Sequence, residues 1–142
     1  MKRVFLALSL GLLAPQTANA ATALLQTVDL TDQGLSAEGG EAKLFRLTGT
    51  SLGRCKIEAV HFGEMGRTTY RFIFDARLRY AAMREYRYAE PLSASSNVRM
   101  RVAREVLLTS AEGGRTLPGE WATYKGYFDA AKLARCAGAR VK

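Results

Sequence analysis

Arginine dominates the chemistry this sequence can offer. Residues 67–104 hold nine arginines against three acids, Asp75, Glu85 and Glu90. Guanidinium groups are permanently charged and present paired donors that match a phosphate or carboxylate. Tyrosines interleave with them at Tyr70, Tyr80, Tyr86 and Tyr88. Aromatic platforms beside cations are what single-stranded nucleic acid binders use. For an exported chain, an anionic glycolipid, a cell-wall polymer or an acidic protein is the more accessible partner.

Other chemistry is thinly supplied. His61 is the only histidine. With Glu58 and Glu64 it makes at most a weak metal site, since tight zinc binding takes three or four ligands. No metal or other cofactor is therefore expected. As a general base His61 would need a nucleophile from Ser51, Ser93, Ser95, Ser96 or Ser110, and none lies in a Gly-x-Ser-x-Gly elbow. Glu58, Glu64 and Asp75 flank one predicted hairpin, but two acids along a hairpin are not two acids across a cleft. No phosphate-cradling glycine loop or dinucleotide fingerprint is present.

Two cysteines, Cys55 and Cys136, remain. In an oxidising compartment they pair. Closing a loop of this length stabilises the fold by roughly 4 kcal/mol on the chain-entropy model.

The compartment follows from the N-terminus. Lys2 and Arg3 precede an apolar run from Val4 to Leu13. Pro15 ends the run, and Ala18-Asn19-Ala20 supplies small residues for cleavage. The order charge, apolar, small is that of a secretory signal peptide. The run is about half the length of a membrane span. Residues 1–20 are thus a predicted cleavable signal, and 21–142 a single small domain, periplasmic or secreted. The formal charge is +8 for the whole chain, and about +6 once Lys2 and Arg3 are removed.

The elements that must position the arginines read as follows. Leu24–Leu30 and Lys43–Leu47 are short strand candidates around a glycine-rich turn at 31–42. Cys55–Phe62 is β-like, and 63–66 is a turn between glycines. From Thr68 to Tyr80 apolar and polar residues alternate with period two, the mark of a strand with one buried face. Tyr80–Glu90 fits a strand or a helix, with the strand favoured. Residues 91–97 form a loop, 98–108 alternate again, and Glu112–Arg115 is a predicted turn. A final helix starts near Pro118, with Trp121, Tyr124, Phe128 and Ala131 as its apolar stripe, and carries Cys136 at its end.

These elements predict an α+β fold: an antiparallel sheet of about four to six strands, covered by one C-terminal helix that a disulfide tethers. Strand phase places Arg71, Arg77 and Arg79 on the solvent side, joined by Arg99 and Arg101. That basic face makes a non-catalytic binding or interaction protein the leading reading. A small exported hydrolase using His61 is the alternative, and a periplasmic inhibitor or immunity protein is another.

Overall fold

The computed structural model describes residues 21–34, 38–90 and 98–138. The predicted signal peptide and the 91–97 loop lie outside these residues. Six strands form one antiparallel meander in chain order: β1 (Ala21–Asp29), β2 (Gly40–Thr48), β3 (Cys55–Gly63), β4 (Gly66–Phe74), β5 (Leu78–Tyr88) and β6 (Met100–Leu107). Helix α1 (Ala111–Lys125) and the short α2 (Ala130–Leu133) follow. The sheet, the helix and the Cys55–Cys136 disulfide agree with the sequence reading. Tyr80–Tyr88 is strand, as favoured.

One face of the sheet carries the core. Leu44, Ile57, Phe72 and Ala81 lie side by side across β2 to β5 and are fully buried. Leu117, Tyr124 and Phe128 join the same cluster. Tyr124 lies 5.7 Å from the Phe72 ring, and Trp121 5.5 Å from that of Phe74. The backbone N–H of Asp129 donates to Gln26 Oε1 at 3.0 Å, so the segment after α1 reaches β1. Cys55 and Cys136, both buried, fasten its far end to β3.

The helix differs from its predicted frame. It begins at Ala111, and the predicted turn at 112–115 is its first turn. Ser110 is the N-cap, its hydroxyl accepting from Gly113 N at 3.0 Å. Glycine at 113 has a packing reason: a Cβ there would stand 1.9 Å from the Leu107 carbonyl oxygen. Pro118 sits inside the helix on its exposed side, where it removes one backbone bond. The predicted stripe is cut at Gly126, so Phe128 is buried from a turn and Ala131, on α2, is exposed.

The strands differ in a way that matters for the site. The alternation from Thr68 to Tyr80 is two strands. β4 ends at Phe74, and Asp75 turns the chain by accepting from Arg77 N at 2.9 Å and from the Arg79 side chain. Phe74 then pairs with Leu78 and Ile73 with Tyr80, leaving Arg79 as an extra residue in a bulge. One extra residue reverses the facing of everything after it. Ala81 and Met83 therefore enter the core, while Tyr80, Ala82, Arg84 and Tyr86 turn to the other face. A second bulge does the same in β6: Glu85 pairs with Arg104 and Tyr86 with Val102, so Ala103 is the extra residue. Val106 is buried, whereas Val102 and Met100 face outward with Tyr86 and Tyr88.

Candidate ligand-binding face

The face opposite the core is laid out in cross-strand rows by the register. One row runs Lys43, Glu58, Arg71, Ala82 across β2 to β5. The next runs Glu41, Val60, Thr69, Arg84, Glu105, and the third Phe62, Arg67, Tyr86, Val102. Rows on one face are about 7 Å apart. All of these but Glu105 and Val102 line a depression of about 430 Å³.

Three arginines converge there. Thr69 lies directly opposite Arg84, with Arg67 and Arg71 two residues to either side of it. Each is thus a diagonal neighbour of Arg84, about 7–8 Å away. Arg71 approaches Glu58 at 3.4 Å, but Glu58 is also held by Lys56 at 2.8 Å. Arg84 binds the Glu105 carboxylate at the far rim, which holds its guanidinium charged more firmly still. Lys43 is bonded to Glu41 at 2.6 Å.

Arg67 differs from its neighbours. Its guanidinium stacks over the Tyr86 ring, 5.0 Å from the centroid, a cation–π arrangement. Among the described residues it makes no ion pair, and its Nε is buried without a hydrogen-bond partner. Buried N–H groups are ordinarily hydrogen-bonded, so this donor is an exception among the described residues. Tyr80 and Tyr86 flank the arginines as flat, half-buried platforms.

The five arginines singled out from the sequence are not brought together. Arg71 is in the depression. Arg77 lies in the β4–β5 turn, and Arg79 in the bulge, bound to Asp75 at 3.1 Å. Arg99 precedes β6. Arg101 stands opposite Arg87 on the core side of the sheet, at the end beyond the helix. Of the residues lining the depression, Arg67, Arg84 and Lys43 were not among the sequence candidates, whereas Tyr80 and Tyr86 were named as aromatic neighbours of the arginines. The available signal was Arg84 itself, a charge in what read as an apolar phase, which marks a phase change rather than an exception.

His61 stands on the other face. Its Nε2 is hydrogen-bonded to the Tyr124 hydroxyl, and Tyr70 packs edge-on at 6.1 Å. Burial lowers the imidazole pKa, opposed by the charge of Glu120. Ser110 is used as the helix cap, and Ser51 lies in the β2–β3 loop. Ser93, Ser95 and Ser96 lie outside the described residues. Glu58 sits in mid-strand, Glu64 at the β3–β4 turn and Asp75 at the opposite end, so these acids form no pair. No cluster of three metal-ligating side chains occurs among the described residues.

No protein-family model, curated protein or solved structure matches this chain.

Proposed function

We propose that this chain is an exported binding protein, periplasmic or secreted, that captures an anionic partner on the open face of its sheet without catalysing a reaction. The observation carrying this reading is the juxtaposition of Arg67, Arg71 and Arg84 in one depression that Tyr80 and Tyr86 also line. The C-terminal helix, tethered through Cys136, serves as the cover of one face and leaves the other for the partner. The disulfide accords with an oxidising compartment.

The arrangement suits an anion attached to something larger. Arginine forks give two parallel bonds to a carboxylate or phosphate. The tyrosine faces and Val60 offer apolar contact beside them, and Glu41 and Glu58 can accept from hydroxyl groups. A thermal-melt screen with inorganic phosphate, an oligouronate and a glutamate-rich peptide tests it. At least one should raise the midpoint of the wild type and leave the Arg67→Gln/Arg71→Gln/Arg84→Gln variant unmoved. Equal shifts in both proteins would remove the basis for this reading.

A further inference from the structure

A second surface lies at the end of the sheet formed by the β3–β4 turn and the neighbouring ends of β5 and β6. Six large hydrophobic side chains are exposed among the described residues, and four of them gather here: Phe62 (45 %), Met65 (51 %), Met100 (40 %) and Val102 (52 %). The register sets them in two adjacent rows, with Arg67 and Tyr86 between Phe62 and Val102 and with Tyr88 between Met65 and Met100. Phe62 lies beside Arg67, Arg67 beside Tyr86 and Tyr86 beside Val102, while Tyr88 pairs with Met100 and donates its N–H to the Met65 carbonyl at 2.9 Å. Scattered exposed apolar residues need no explanation, but a contiguous group marks a contact surface.

The opposite face of this sheet end holds an unusual charge pair. Arg87 and Arg101 are directly opposed on adjacent strands, which puts their Cβ atoms about 4.5–5.5 Å apart, and like charges so placed are destabilising. Among the described residues neither makes an ion pair, and Arg99 lies two residues from Arg101. The acids at this end are Glu38 and Glu64, in contact with each other toward β2, Glu90 beyond β5, and Glu85, two residues from Arg87 on the same face and held by Arg104 at 3.5 Å. An anion lodged between Arg87 and Arg101 would replace their repulsion with charge-assisted hydrogen bonds.

We infer that this corner docks on an anionic lipid bilayer, with Phe62, Met65 and Met100 entering the interface and Arg87 and Arg101 bridging a lipid phosphate. Apolar prongs on one face of the sheet end and cations on the other, brought down end-on, fit a surface that is negative outside and apolar beneath. The arginines alone would suit a soluble phosphate, and the prongs alone an apolar protein surface; only a bilayer uses both. The patch adjoins the depression and shares Phe62, Arg67 and Tyr86 with its lining, but Arg71 and Arg84 lie farther along that face and Arg87 and Arg101 on the opposite one.

Vesicle co-sedimentation of the full chain freed of residues 1–20 tests it. Phosphatidylcholine vesicles should not bind the protein. Mixed phosphatidylcholine–phosphatidylglycerol vesicles should, with affinity falling as salt rises. Arg87→Gln/Arg101→Gln should weaken that binding roughly tenfold or more, and Met65→Ser, in an exposed turn, should weaken it without changing the melting midpoint. The Arg71→Gln/Arg84→Gln variant should bind vesicles like the wild type. Equal binding to neutral vesicles, or none to anionic ones, overturns the inference and leaves the anion-binding depression standing. Loss of vesicle binding in Arg71→Gln/Arg84→Gln but not in Arg87→Gln/Arg101→Gln overturns it also, moving the lipid to the depression. Self-association in sedimentation equilibrium that Phe62→Ser abolishes, with vesicle binding absent, overturns it in favour of a second copy.

Discussion

The Tyr124 hydroxyl and His61 Nε2 share a hydrogen bond that joins α1 to the end of β3. The sole histidine is thereby committed to helix–sheet packing, half-buried among Tyr124 and Tyr70. Removing only the hydroxyl, Tyr124→Phe, should lower unfolding free energy by about 1 kcal/mol, because it leaves a partly buried imidazole nitrogen unpaired. Tyr124→Ala should cost about 3–5 kcal/mol by emptying the space against Phe72. Urea unfolding of both variants checks the ratio.

The same environment sets a pH dependence. Burial lowers the His61 pKa below its ordinary 6.5, so the folded state binds its proton less readily than the unfolded chain. Stability from this group is complete above 6.5 and is lost as pH falls through that value toward the folded pKa. The melting midpoint should decline on acidification across this window, and the decline should be shallower in His61→Gln. Burial also raises the pKa of Tyr70 and Tyr124 above the usual 10.0. In an alkaline titration Tyr124 should ionise only as the protein unfolds, and Tyr70 at higher pH than an ordinary tyrosine.

Two glycines of α1 give opposite expectations. Gly113→Ala should destabilise, since its Cβ would meet the Leu107 carbonyl, which backbone pairing holds in place. Gly119→Ala has open space around its Cβ and should stabilise by roughly 0.5–1 kcal/mol through helix propensity. Thermal melts of the pair test where the helix begins. A helix starting at Pro118 would make position 113 indifferent.

The disulfide joins residues 81 apart. Cys55→Ser/Cys136→Ser should lower stability by roughly 2–5 kcal/mol, read from denaturant midpoints. Since Cys136 anchors the last described turn, amide exchange should accelerate first between Phe128 and Cys136.

The bridge, the antiparallel sheet and the presence of a helix after it were legible because each depends on a local or compositional signal. The alternation Tyr70, Phe72, Phe74 reports one buried face directly. The bulges at Arg79 and Ala103 were not legible, because an extra residue leaves no mark in composition and the alternation resumes at once in the other phase. Tyr80, which ends the predicted 68–80 alternation, therefore stands on the open face with Tyr86 and Val102, while Arg101, placed on the solvent side by strand phase, faces the core side. The helix start was misplaced for a similar reason. Gly113-Gly114 is a turn by propensity, and only the Ser110 cap and the close approach to Leu107 make it the first turn of a helix.

Amide chemical shifts report most directly on where an anion binds. The protein is titrated with whichever of phosphate, oligouronate or glutamate-rich peptide raises its melting midpoint most. The account predicts shift changes concentrated at Val60, Thr69 and Ala82, the positions beneath Arg67, Arg71 and Arg84, fading as salt rises and absent in the triple Gln variant. Changes centred instead on the α1 residues around Leu117 and Trp121, or spread evenly over the surface with the triple variant responding like the wild type, would contradict it.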